Sequence, residues 1–271
     1  MMRQTSMGVM TSLALLLVAP LETPAQDLEG SVEQAAKKTQ NPVADQYKLQ
    51  LENFFNFGLG PKDATQYALH AIPTIPFQLS EDWNLITRTE LLVIDQPSPS
   101  RDVESAFGLG DLNPTLYLSP RKHATFSWGL GPTFTFPTAT ESALGSQEWS
   151  AGPAAVALVT QGPWVIGSRI NNQWSFAGWG DHGVNRMWVQ PFAHYNFPEG
   201  WYLATLPTIT ANWKAKSGEE WTVPVGGGIG KHWLLGKLGI DAQLMGFYNV
   251  ERPPGAANST FLFQIQLVRP K

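Results

Sequence analysis

Charged and amide side chains in this chain recur at a spacing of two residues. Arg88 and Glu90 are two apart, and so are Arg169, Asn171 and Gln173. Successive side chains of a β-strand point to opposite sides, so residues two apart share a face. Such a row of arginines, carboxylates and amides can select a charged or hydrogen-bonding solute, or it can fill a polar interior with salt bridges.

The same spacing predicts a larger set of polar residues that line the inside of a closed sheet. We expect these pore-lining residues on the strand faces opposite the apolar ones. We expect charge selectivity to depend on Arg88, Glu90, Asp111, Arg169 and Asp241. The full set is His70, Arg88, Glu90, Asp111, Asn113, Arg169, Asn171, Gln173, Gln190, His194, Asp241 and Gln243.

Two motifs that could bind a phosphate or a metal are weak. The glycine-rich run at 226–231 would need glycine in place of Val225, and serine or threonine in place of His232, to match a phosphate loop. None of the five histidines has a second histidine at metal-site spacing. We therefore expect no cofactor and no metal.

Catalysis by a serine and a histidine is the remaining enzymatic alternative. An outer-membrane lipid hydrolase would place serine, histidine and a carboxylate or amide together on the barrel wall. The spacing of the residues selects no such group, and we predict that the chain is not an enzyme. The candidates are Ser127, Ser168 or Ser175 with His70 or His194.

Composition limits the other classes of function. The chain has 271 residues, a formal net charge of -4 and no cysteine. The absence of cysteine excludes disulfides and thiolate metal sites, and the mild acidity gives no basic surface for nucleic acid. The length suits one barrel domain.

The elements that must position the polar residues are about twelve strand-like segments joined by alternating short and long links. The predicted short links are 80–82, 119–123, 161–163, 198–200 and 235–236, and the long ones are 58–65, 96–105, 138–147, 177–184, 214–219 and 251–258. Membrane β-barrels have short periplasmic turns and longer extracellular loops. We predict an all-β, antiparallel up-and-down barrel of about twelve strands in the outer membrane of a Gram-negative cell, with both termini in the periplasm.

Apolar and polar residues alternate clearly in several segments. Between 126 and 136, Phe126, Trp128 and Leu130 oppose Ser127 and Gly129. The segments 48–57 and 149–160 alternate poorly, so their register is open. Tryptophans near strand ends suit two aromatic girdles at the membrane surfaces. The predicted girdle is Trp83, Trp149, Trp164, Trp174, Trp201, Trp213, Trp221 and Trp233.

The N-terminal region has the pattern of an export signal. Arg3 precedes an apolar stretch at 7–19, and small residues at 23–25 allow cleavage before Gln26. We predict a signal peptide at 1–25, a periplasmic arm at 26–46 and a barrel at 47–271. A plug that reaches into the barrel mouth is the alternative for the arm.

Five long runs of the chain resemble the bacterial family named for the MetA pathway of phenol degradation, whose members are often mislabelled neuromedin U or transporter. The runs are 108–120, 131–146, 149–178, 201–231 and 248–253, and the resemblance covers nearly all of the chain after about Asn41. The resemblance implies an outer-membrane barrel that passes small, aromatic or hydrophobic compounds, and it transfers no catalytic residues. The chain ends at Lys271 without the terminal aromatic residue that many barrels present to the assembly machinery.

We expect a channel or facilitator for small solutes, with outer-membrane lipids, a small-molecule solute and the barrel-assembly machinery as partners. A filled, purely structural barrel is the alternative, since twelve strands lie between barrels that side chains fill and barrels that leave a pore.

Overall fold

The computed structural model describes residues 25–98, 104–122, 125–180 and 183–271. Their strands form one antiparallel sheet in which the first strand, β1 (Gln46–Leu59), pairs with the last, β14 (Ser259–Pro270). This pairing closes the sheet into a barrel and leaves no strand edge unpaired between them. The predicted closed antiparallel barrel is confirmed. The predicted signal peptide lies outside the described residues, apart from Ala25.

The remaining elements follow in chain order. No helix among the residues given above is long and apolar enough to cross a membrane. The elements are α1 (Ala25–Gln40), β2 (Ala64–Gln78), β3 (Trp83–Gln96), β4 (Ala106–Leu109), β5 (Asn113–Pro120), β6 (Phe126–Thr135), β7 (Glu148–Gln161), β8 (Trp164–Gly178), β9 (Asn185–Asn196), β10 (Trp201–Thr205), β11 (Ile209–Asn212), β12 (Trp221–Leu235) and β13 (Leu238–Glu251).

Fourteen strand segments make twelve passes through the barrel, because two passes are interrupted. Both β4 and β5 pair with β3, and the gap between them is 110–112. Both β10 and β11 pair with β9 and β12, and their gap at 206–208 contains Pro207. Proline has no N–H to donate to the ladder, which explains the second interruption.

The two ends of the barrel differ in the length of their links. We call the end that carries Gln46 and Pro270 the turn end, and the opposite end the loop end. The predicted long link at 58–65 is wrong, since β1 runs to Leu59 and β2 begins at Ala64. A 3₁₀ turn at Gly60–Lys62 makes this short link possible, and Asp63 N donates to Gly60 O over 3.2 Å. Parts of the predicted links at 96–105, 119–123 and 177–184 lie outside the described residues.

The predicted alternation of faces is clearest in β6. Phe126 and Leu130 are 55% and 54% exposed on the outer face, while Ser127 and Thr133 are buried on the inner face. β7 looked irregular in sequence because its inner face is itself apolar. Val156 and Leu158 pack there with Val43 and with Ile86, Tyr117, Ala154, Val165 and Phe192.

Close approach of β5 and β6 makes one glycine structurally necessary. A Cβ on Gly131 would lie 1.8 Å from the carbonyl oxygen of Leu116, whereas a Cβ on Gly246 would meet nothing within 4 Å. We expect Gly131→Ala to destabilise the barrel by about 1–3 kcal/mol through overpacking. The measurement is the temperature at which the protein in detergent loses its folded gel mobility, with Gly246→Ala as the matched control. Equal temperatures for the two variants would contradict the close approach.

Candidate functional site

Two cavities formed by described residues lie in the lumen of the barrel. The large chamber has a volume of about 580 Å³ and extends to Leu144 and Val184 near the loop end. The small chamber has a volume of about 80 Å³ and reaches Thr39 and Pro42 near the turn end. The lumen is therefore not completely filled by side chains.

Arg88, Arg169 and Gln190 line both chambers. Arg88 lies on β3, Arg169 on β8 and Gln190 on β9, so the three residues come from different parts of the barrel wall. We call this set the constriction. Any solute that passes from one chamber to the other must pass these two guanidinium groups and this amide.

The amide of Gln190 orients one side of the constriction. Arg169 Nη2 donates to Gln190 Oε1, and Gln190 Nε2 donates to Thr208 Oγ1 over 2.8 Å and to Leu206 O over 3.5 Å. The last two contacts lie at the strand gap 206–208. The gap thus frees backbone and hydroxyl acceptors that hold Gln190, and Gln190 in turn holds Arg169.

All of the predicted pore-lining residues border one chamber or the other. That they contact a solute stays a prediction. The large chamber is lined by His70, Arg88, Glu90, Asp111, Asn113, Arg169, Asn171, Gln173 and Gln190, and the small one by Arg88, Arg169, Gln190, His194, Asp241 and Gln243.

A group of Glu52, His70 and Glu90 lies on the wall of the large chamber. Their potential ligand atoms lie within 4.8 Å of one another, and His70 Nδ1 lies 2.9 Å from Glu90 Oε1. Two carboxylates and an imidazole can ligate a divalent cation, although Arg88 on the same face of β3 opposes positive charge. The spacing between histidines along the chain could not indicate this group, because it contains one histidine and its members come from three adjacent strands. Pairing of Glu52 with His70 across β1 and β2 is the signal that could have found it.

The carboxylate of Asp111 borders the large chamber and also binds a loop. Its Oδ2 accepts hydrogen bonds from Ser146 N (2.6 Å) and Ser146 Oγ (2.8 Å), and its Oδ1 accepts one from Ala139 N (3.3 Å). The carboxylate therefore fastens the loop between β6 and β7 over the barrel mouth, where Leu144 of that loop is buried.

Asp241 is likewise held by neighbouring side chains. It is 1% exposed, and its Oδ1 accepts from Tyr202 Oη over 2.6 Å and from Gln243 Nε2 over 3.3 Å. His232 Nδ1 lies 3.4 Å from Oδ2. Asp241 is predicted to contribute to charge selectivity, and its carboxylate already has three side-chain partners.

The segment before β1 closes the turn end. The C-terminal part of α1 and the residues that follow it enter the barrel mouth, where Ala36, Val43 and Ala44 are buried. We call residues 36–45 the plug. Whether 26–46 serves as a periplasmic arm or as a plug stays a prediction.

Lys48 holds the plug in place from the barrel wall. The side chain of Lys48 is buried, and its Nζ donates to Thr39 O over 2.8 Å and to Asn41 O over 2.6 Å. These carbonyls lie at the C-terminal end of α1, where they lack intrahelical donors and where a cation is favoured. Asn41 Nδ2 also donates to Ser127 Oγ over 3.2 Å. Lys48 was not among the predicted lumen residues, because β1 alternates poorly around Phe54 and Phe55.

The serines proposed for lipid hydrolysis have other partners. Ser127 accepts from the plug, Ser168 Oγ donates to Arg169 O, and Ser175 Oγ accepts from Val184 N over 2.7 Å. His70 pairs with Glu90. These contacts give no support to a catalytic serine at these positions.

The predicted girdle tryptophans all lie on the outer surface of the barrel. Each is more than a third exposed. Trp213 and Trp221 make an edge-to-face contact, with ring centroids 5.4 Å apart. Lys231 Nζ lies 4.6 Å from the ring centre of Trp201, which is a cation–π distance. That these rings lie at the headgroup level stays a prediction. The other members are Trp83, Trp149, Trp164, Trp174 and Trp233.

Comparison with known proteins places this architecture among outer-membrane β-barrels. No known family's sequence profile matches the chain, and no curated protein matches it either. The solved structure of the COG4313 outer membrane channel from Pseudomonas putida F1 is similar, with a TM-score of 0.62 and 16% identity over 83% of this chain and 95% of that chain. The NanC porin has a TM-score of 0.52 and 10% identity over 82% and 99% of the two chains.

These likenesses show the fold. The chain has the architecture of an outer-membrane β-barrel. The resemblance to the family named for the MetA pathway stays a prediction, since no family profile matches.

The anchoring of the loop by Asp111 is testable by proteolysis. Asp111→Ala removes the acceptor for Ser146 and Ala139, so we expect the loop to open and the bond after Glu141 to become accessible to a glutamate-specific protease. The measurement is the rate of cleavage at Glu141 in detergent-solubilised barrel. Asp95→Ala, which removes an outward-facing carboxylate from β3, is the control and should leave that rate unchanged.

Proposed function

We propose that the protein is an outer-membrane channel or facilitator for small solutes, with both chain termini in the periplasm. The observation that carries this proposal is a polar-lined chamber of about 580 Å³ inside a closed barrel. A purely structural barrel has no need of such a cavity, whereas a channel needs one that is lined by hydrogen-bonding groups.

The plug determines how a solute leaves the turn end. The small chamber ends against Thr39 and Pro42, so the plug must shift before a solute larger than a few water molecules can pass. The plug is held by hydrogen bonds from Lys48, by a reciprocal amide pair between Gln40 and Asn196, and by Val43 in its apolar pocket. Hydrogen bonds of this kind can break and form again without unfolding the wall.

The outer surface fits a lipid environment. Apolar side chains such as Phe126, Leu130 and Phe261 are exposed there, and burial in hydrocarbon would remove them from water. Insertion by the barrel-assembly machinery is part of this proposal. The wall of the large chamber also offers Phe54 and Trp188 as contacts for an aromatic or hydrophobic part of a solute.

We expect the purified protein to conduct ions in planar bilayers and Lys48→Met to increase its open probability. Loss of Lys48 leaves the carbonyls of Thr39 and Asn41 without a buried donor, which costs about 1–3 kcal/mol in the plugged state. This corresponds to at least about a fivefold rise in the ratio of open to closed channels.

Lys122→Met is the matched control, since that side chain is highly exposed at the turn end and borders neither chamber. Folding of each variant is checked by its heat-dependent gel mobility. Folded wild-type protein and folded Lys48→Met that are both silent would contradict the channel and favour the structural barrel.

A further inference from the structure

The carboxylates and the arginines of the lumen differ in their partners. Four carboxylates line the two chambers among the described residues, and each has neighbouring partners other than arginine. Glu52 Oε1 accepts from Gln50 Nε2 over 2.6 Å, and Glu90 pairs with His70. Asp111 accepts hydrogen bonds from the loop between β6 and β7. Asp241 accepts hydrogen bonds from Tyr202 and Gln243 and lies beside His232.

Neither arginine of the constriction is in an ion pair with a carboxylate of the described residues. Across the described ranges, neither Arg88 nor Arg169 has a carboxylate oxygen within 4.0 Å of a guanidinium nitrogen. Arg169 donates to the neutral amide of Gln190, and this contact leaves other N–H groups of its guanidinium unused. Both side chains are half-buried, so their charges are less screened by water than charges at the surface.

We propose that Arg88 and Arg169 form an anion-binding constriction that selects small solutes with a carboxylate group. This inference rests on the proposed channel function and names the solute class. A planar guanidinium matches the two oxygens of a carboxylate, and two such groups on different strands can hold one from two sides. The rest of the solute then lies in the large chamber, against Phe54 and Trp188.

The competing possibility on the same wall is a cation at Glu52, His70 and Glu90. Arg88 shares the inner face of β3 with Glu90, and its charge repels a cation there. The same arginine attracts an anion. Because Arg88 and Arg169 both border the place where the two chambers meet and neither is in a close ion pair among the described residues, an anion is favoured at that place.

The test compares benzoate with its neutral analogue benzamide on the full barrel in planar bilayers. We expect benzoate to block the potassium chloride current in a saturable way and benzamide at the same concentration to have little effect. Arg88→Gln and Arg169→Gln should each raise the half-blocking concentration of benzoate about tenfold, since each removes a charged hydrogen-bond donor.

Arg252→Gln is the matched control. This arginine lies beyond β13 in the loop before β14, donates to Ala256 O over 2.9 Å and borders neither chamber, so its loss should leave the half-blocking concentration unchanged. Two results in a conducting protein would overturn the anion site without contradicting the channel function. One is equal block by benzoate and benzamide. The other is a benzoate block that both arginine substitutions leave unchanged.

A second measurement separates the two proposals. If the folded protein does not conduct, benzoate binding to the detergent-solubilised barrel is measured by calorimetry. Binding that Arg88→Gln and Arg169→Gln weaken and Arg252→Gln preserves supports the anion site even where the channel fails. Absence of benzoate binding in the wild type overturns the anion site.

Discussion

The pairing of every strand with two neighbours is the constraint on which the rest of this structure depends. Inside a bilayer no water can satisfy a free N–H or C=O, so a sheet must close. Pairing of β1 with β14 closes this one and fixes which side chains face inward. The same register places Arg88 and Glu90 in the lumen and leaves Leu85 and Leu91 on the outer face.

Two gaps between described strand segments, at 110–112 and 206–208, lie where the lumen has specific side-chain contacts. At 110–112, Gly110 N donates to Leu92 O, and Leu112 N donates to Phe136 O. The displaced strand allows Asp111 to reach the loop. At 206–208, Gln190 reaches the freed groups and is thereby positioned beside Arg169. At both gaps, inward-facing groups or a folded loop satisfy part of the irregular backbone.

Much of the fold and part of the site follow from the sequence. Alternation with a period of two identified the inner faces, and all predicted pore-lining residues border the lumen. The pattern could not show which of these groups pair with one another, because that depends on strand register. Asp111 and Arg169 look alike as isolated charges that face the lumen, yet the carboxylate of Asp111 accepts hydrogen bonds from a loop, whereas Arg169 donates to the neutral amide of Gln190.

The residue pattern of 26–46 favoured an exposed arm over a plug. Polar residues around α1 resemble those of an exposed helix, and only the buried Val43 and Ala44 distinguish a segment that enters the barrel. Lys48 was not predicted as a site residue, and its burial is explained by the two carbonyls at the end of α1 to which it donates.

The plug belongs to the same chain as the wall that it closes. Its last residue, Asp45, is followed directly by Gln46, the first residue of β1. This direct covalent connection keeps the plug at an effective concentration of at least about the millimolar range beside its own binding site. Closure is therefore unimolecular: it does not depend on how much protein the membrane contains, and a released plug is recaptured by the barrel from which it came.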